Sequence, residues 1–191
     1  MVEFALVVPI LLFLVVIVAD FGRVFATGLA MEAAARNAAE TVSNAYLANP
    51  PSPLDTAAID PGGTYYADLH TLGARTVCAE TAEQPNANFD PGTGACTGMP
   101  LVSVCIHDSV DTCGGPTDAQ GATIPAECSE LSSTMSSAQT GGGARYVEVR
   151  VCYRFSSILQ LPLLSFGEIW IERTRTFAVP CYYVLGENEC G

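Results

Sequence analysis

Residues 4–19 carry no charge, yet Glu3 stands just before them and Asp20 and Arg23 follow closely. No other feature limits the fold so strongly. As a helix, sixteen residues rise about 24 Å, short of the ~30 Å hydrocarbon layer of a bilayer. A cleavable secretory signal calls for a basic n-region and a small-residue cleavage site. Here Glu3 precedes the apolar run and no cation does. The first cation is Arg23, so the basic flank that orients a membrane anchor is also missing. One explanation is a basic leader removed ahead of Met1.

The helical pattern does not stop at Ala19. Phe21, Val24, Phe25, Gly28, Ala35, Ala38, Val42 and Tyr46 follow at spacings of three and four, one face of a helix. The stretch MEAAARNAAETVSNAYLA is dense in helix formers. Glu32 and Arg36 stand four apart, in the favourable order for an ion pair along a helix, and Asp20 and Arg23 stand three apart. Asn49-Pro50-Pro51-Ser52-Pro53 then ends the helix, because proline lacks the N–H and disfavours α geometry before it. The pattern predicts one helix from near Met1 to about Ala48, roughly 70 Å long. Such a rod outruns a bilayer and is too long for a compact domain of 191 residues.

Beyond the prolines the chain is rich in Gly, Pro, Ser and Thr. The stretch TYYADLHTLGARTVCAE fits a short helix or a turn and strand equally well, while NANFDPGTGACTG reads as a loop. LVSVCIH reads as a strand, and a long loop follows it. In RYVEVRVCYRF, Tyr146, Glu148, Arg150 and Cys152 face one way, and Val147, Val149, Val151 and Tyr153 the other. EIWIERTRTFAVPCYY alternates again, with Ile169, Ile171, Arg173 and Arg175 set against Glu168, Trp170, Glu172 and Thr174. One dry face and one charged face mark antiparallel strands packed on one side. They are expected to lie over the second half of the long helix, residues 21–46.

The eight cysteines, Cys78, Cys96, Cys105, Cys113, Cys128, Cys152, Cys181 and Cys190, all lie in the polar part, with no CxxC spacing. An even number without close pairs reads as a disulfide framework rather than a zinc site, and so as an oxidising compartment. Proximity in sequence and on adjacent strands suggests Cys78–Cys96, Cys113–Cys128, Cys105–Cys152 and Cys181–Cys190.

The net charge of −12, with eight Arg and no Lys, leaves no basic stripe for nucleic acid or acidic membrane surfaces, and no lysine chemistry. No HExxH, GxSxG, P-loop or GxGxxG is present, so no catalytic or cofactor-binding residues are assigned. CIHD places Cys105 and His107 on one strand face; a disulfide cysteine beside a surface histidine is the plainer reading. Asp108, Asp111 and Asp118, with Asp90 opening DPGTG, are the calcium candidates. Their spacing departs from the EF-hand pattern, and acidic loops are ordinary at this charge.

Glu3 beside an apolar run is costly in lipid unless paired, and the α-amino group of a neighbouring copy would pair it. The segment VEFALVVPILLFLVVIVADFGRVF resembles the opening of TadE/TadG-like pilins of the tight-adherence (type IVc) systems. The shared features are Glu3-Phe4, Pro9 and Asp20-Phe21-Gly22. VEVRVCYRF, LPLLSFG and EIWIERTRTFAV are more loosely similar to that family's closing strands.

The resemblance implies an α+β, type IV pilin-like fold: a long N-terminal α-helix and a small antiparallel β-sheet head stapled by disulfides. Residues 1–48 form the helix, with an assembly or membrane segment at 4–19 and an amphipathic half at 20–48. Residues 49–191 form the extracellular head. It implies a subunit that polymerises with itself into a surface filament supporting adhesion. Glu3, Phe4, Pro9, Asp20 and Arg23 would be its assembly residues. A prepilin peptidase and an inner-membrane assembly platform would be earlier partners, with the head outside the inner membrane before assembly. The alternatives are a minor pilin or pseudopilin that primes or tips such a filament, and a membrane-anchored extracytoplasmic binding domain.

Overall fold

A computed structural model describes residues 2–48, 64–107, 111, 113, 117–128, 145–157 and 168–179, without the side chains of residues 2, 3, 5 and 6. The expected long helix is present as α1, Val2–Ala48, with Pro9 inside it. The ambiguous stretch after the prolines is a second helix, α2, Thr64–Glu80. Its buried positions are Tyr66, Leu69, Gly73, Ala74, Val77 and Cys78, a helical spacing in which small residues hold the middle of the apolar stripe.

A short hairpin follows, β1 (Phe89–Asp90) with β2 (Ala95–Cys96). The main sheet is antiparallel, in the order β3 (Leu101–His107), β4 (Tyr146–Ser156), β5 (Glu168–Ala178). Its register sets Leu101 opposite Cys152, Cys105 opposite Glu148, and Arg154 opposite Trp170. The alternation read from the sequence holds. Val102, Val104, Ile106, Val147, Val149, Val151 and Tyr153 are buried on the inner face.

Both helices lie on that inner face, α1 against β4 and β5, α2 against β3, and the two helices against each other. The α1 surface at this junction is Met31, Ala34, Ala35, Ala38, Ala39, Val42 and Tyr46, each buried. An alanine-rich face lets a second helix and a sheet approach closely at little side-chain entropy cost. Gly73 marks the tightest crossing: a Cβ there would lie 2.9 Å from Val104 Cγ2 and 3.0 Å from Val42 Cγ2.

The sheet does not cover the whole apolar face expected of α1. Val24 is partly buried and Gly28, Ala35, Ala38, Val42 and Tyr46 are covered, but Phe21 and Phe25 are 67% and 70% exposed. At 3.6 residues per turn, Phe25 lies roughly 100° round the helix from Val42. Spacings of three and four drift that far over five turns.

Three disulfides lie among the described residues, and one matches the expected pairing, Cys78–Cys96. The other two differ. Cys105 is bonded to Cys113 and Cys128 to Cys152, in place of Cys105–Cys152 and Cys113–Cys128. The sheet register gives the reason. Cys105 and Cys152 share a face on neighbouring strands but are offset by four residues, about 14 Å at 3.4 Å each. A disulfide needs Cα atoms within about 7 Å. The expected Cys181–Cys190 pair lies outside the described residues.

Candidate functional site

The assembly residues named from the sequence sit along α1. Phe4 is 75% exposed. Glu3 lies in the helix, its side chain outside the described residues, and Pro9 is exposed within it. Ile10, Leu11, Leu12, Leu14, Val15 and Val18 are likewise exposed. By length and composition this helix is apolar enough to cross a membrane.

Asp20 and Arg23 are where this bare rod meets the head. Arg23 Nη1 donates to Asp20 Oδ1 at 3.3 Å, the pair expected from their spacing. Sequence reading did not find the third member, Ser157, whose hydroxyl donates to Asp20 Oδ2. Asp20 is 8% exposed, so the head shields it. The Arg23 guanidinium lies 5.3 Å from the ring centroid of Phe155 near the end of β4. A cation over an aromatic face gains electrostatic attraction while its stem covers apolar surface.

A second helix–sheet contact replaces an expected one. Glu32 pairs with Arg175 and, at 3.9 Å, with Arg173, both from β5, rather than with Arg36 along the helix. The inner face of β5 thus turns from isoleucine to arginine where it crosses the polar flank of α1. Alternation alone placed Arg173 and Arg175 on the dry side without saying what they would meet.

On the outer face of the sheet the polar residues form a ladder. His107 Nε2 lies 2.9 Å from Glu148 Oε2, and the His107 ring stacks on Tyr146 with centroids 4.1 Å apart. Arg150 reaches Glu148 at 3.4 Å, Glu172 at 3.6 Å and Thr174 Oγ1 at 3.1 Å. His107 is only 3% exposed and is not the surface histidine expected. Its strand neighbour Cys105 is held in a disulfide, so no thiol–imidazole pair forms.

The calcium candidates are engaged as local braces. The Asp111 carboxylate accepts from the Ile106 backbone N–H at 2.8 Å and lies 2.7 Å from His70 Nε2. It also approaches Cys105 and Cys113, but those sulfurs are bonded to each other and are not free to ligate a metal. Asp118 accepts from the N–H groups of Ala122 at 2.8 Å, Gln120 at 3.0 Å and Val102 at 3.3 Å. Asp90 accepts from the Thr93 hydroxyl at 2.8 Å and the Gly92 N–H at 2.9 Å, and these bonds hold its carboxyl below the ordinary range. Asp108 lies outside the described residues.

With this geometry in place, comparison with known proteins adds one finding. Residues 1–40 match the family model described as TadE-like protein. The resemblance read from Glu3-Phe4, Pro9 and Asp20-Phe21-Gly22 is therefore borne out over that span, about a fifth of the chain. The match suggests involvement with tight-adherence pilus systems through an apolar N-terminal helix. No curated protein and no solved structure matches the chain.

Proposed function

We propose that this chain is a structural pilin subunit that polymerises through α1 into a tight-adherence, type IV-like surface filament and supports adhesion. The observation that carries this reading is the reach of the exposed apolar surface. It runs from Phe4 past the Asp20 boundary to Phe25 and Leu29, which is 52% exposed. Twenty-five residues of rise is about 38 Å, more than the ~30 Å a bilayer covers. Phe21, Phe25 and Leu29 thus lie beyond the charged boundary, uncovered by the head. Helices of neighbouring copies would cover the whole stripe at once.

In this reading Glu3 is an inter-subunit ionic contact, and a neighbouring helix repairs the carbonyl that Pro9 leaves without its donor. Gly22 has nothing within 4 Å of its Cβ position, which leaves room for a close neighbour. The subunit would wait in the inner membrane with its head outside. A prepilin peptidase and an assembly platform would be its partners there. The role is mechanical rather than catalytic.

Mass spectrometry of sheared surface fibres tests the reading. This chain should be their abundant component, and deleting it should remove them. A trace amount would favour the minor pilin or pseudopilin role. If the fibres persist without the chain, the principal-subunit reading fails. The runner-up, a membrane-anchored extracytoplasmic domain, is favoured by the same apolar helix. It requires that another apolar helix lacking Pro9 can replace residues 4–19, with Glu3 also substituted, without loss of function.

A further inference from the structure

The outer face of the head carries a groove of about 590 Å³, within the range of small-ligand sites. Its floor is formed by Met99, Leu101 and Trp170, which pack in a small hydrophobic cluster with the Cys128–Cys152 bridge, beside the main core. Trp170 is the only tryptophan in the chain. Asn86, Thr97, Thr123 and Arg154 supply the polar lining, and none of the lining residues is acidic. In a chain of net charge −12 a groove without carboxylates stands out.

The walls are built in advance. The Asn86 N–H donates to the Tyr153 hydroxyl at 3.1 Å, and its side-chain amide donates to Arg154 O at 2.9 Å and to Ser156 Oγ at 3.1 Å. That orientation leaves Asn86 Oδ1 as an acceptor. The opposite wall is held by Asp118 through Ala122 N–H, by the Thr117–Thr123 bridge and by the Cys128–Cys152 disulfide. Arg154 pairs with Glu168 at 3.3 Å, so its charge is balanced while it keeps further N–H donors.

We infer that this groove binds a neutral saccharide. The Trp170 indole would stack on the C–H face of a sugar ring. The Asn86 carbonyl, the Thr97 and Thr123 hydroxyls and the Arg154 guanidinium would exchange hydrogen bonds with its hydroxyls. The competing chemistries fit less well. A nucleotide or an acidic sugar would meet the negative field of the whole chain, with the nearby cation already paired. A proline-rich peptide docks in a groove lined by several aromatic rings, and here there is one. The inference supplies a ligand class for the adhesive role, but the groove lies on the head and does not depend on polymerisation.

The test uses the full chain in a phosphocholine detergent, which carries no sugar headgroup. Maltotriose, chitotriose and lacto-N-tetraose are titrated while Trp170 emission is read, with 3′-sialyllactose as the acidic comparator. At least one neutral oligosaccharide should give a saturable change. Saturation-transfer NMR should show its binding weakened about tenfold or more by Trp170→Ala, the loss expected for one aromatic face. The exposed double variant Thr97→Val/Thr123→Val should weaken binding similarly, and it carries the test if Trp170→Ala does not fold. No saturable binding by any of the three sugars, binding of 3′-sialyllactose alone, or affinity unmoved in the folded variants would each overturn the inference. Fibres that form without sugar binding would leave the filament reading standing. Sugar binding by a chain that forms no fibres would do the reverse.

Discussion

Ser157, just after β4, donates its hydroxyl to the carboxylate of Asp20, 137 residues earlier, at the point where the bare helix enters the head. Arg23 holds the other oxygen of the same carboxylate. This contact ties one end of the sheet to α1, and a buried charge that loses its partners costs more than the bond itself. Asp20→Ala and Ser157→Ala should each lower stability by about 1–3 kcal/mol, the second because it leaves the buried carboxylate short of a donor. Urea unfolding of the full chain in micelles, read by Trp170 fluorescence, measures both. Two unchanged midpoints would mean that the contact does not anchor the head.

Two helical glycines, Gly73 and Gly22, have opposite surroundings. Gly73→Ala would press a methyl group into Val104 and Val42 at the junction of α1, α2 and β3, so about 1–3 kcal/mol of stability should be lost. Gly22→Ala meets nothing within 4 Å in the single chain and removes a flexible residue from a helix. It should stabilise the isolated subunit by about 0.5–1 kcal/mol. Under the filament reading the same change, or the larger Gly22→Leu, should lower fibre yield, because the open side of Gly22 is where a neighbour packs. Full fibre yield from Gly22→Leu would remove Gly22 from the interface.

The disulfides should differ in weight according to the loops they close. Loop-closure entropy gives about 2.5 kcal/mol for Cys105–Cys113, separation 8, and about 3.5 kcal/mol for Cys128–Cys152, separation 24. Paired Cys→Ala variants, compared by urea midpoints, should rank in that order. Peptide mapping of the oxidised chain should recover Cys78–Cys96, Cys105–Cys113 and Cys128–Cys152. A Cys105–Cys152 peptide would contradict the register of β3 against β4.

The elements that were legible in the sequence carry a strong period. α1 declares itself through apolar spacing and its proline stop, and β4 through strict alternation of valines with polar residues. α2 was not legible because Gly73 and Ala74 occupy its contact face. Small residues there are chosen for close approach, and hydrophobicity does not report that. The pairings of Cys105 and Cys152 were misread because sharing a face says nothing about register. The exposure of Phe21 and Phe25 went unseen because the strands settle one side of a stripe wider than they can cover. The Ser157–Asp20 contact joins segments too distant in sequence for any local pattern to connect.

Two tyrosines on β4 make the fold sensitive to alkali. Burial pushes the Tyr153 phenol above its ordinary value, against the pull of its bond from the Asn86 N–H and of nearby Arg23. Burial and the Glu148 carboxylate push Tyr146 up as well. A phenol raised in the fold keeps its proton after the unfolded chain has released its own. Stability is therefore full below the unfolded value of about 10 and is lost as pH rises through the higher folded values. Urea midpoints of the full chain should be level from pH 8 to about 9.5 and then fall. Tyr153→Phe should cost about 1 kcal/mol at neutral pH, since the Asn86 N–H loses its acceptor, yet should make the alkaline fall shallower. A fall of equal steepness in Tyr153→Phe would assign the sensitivity to other groups.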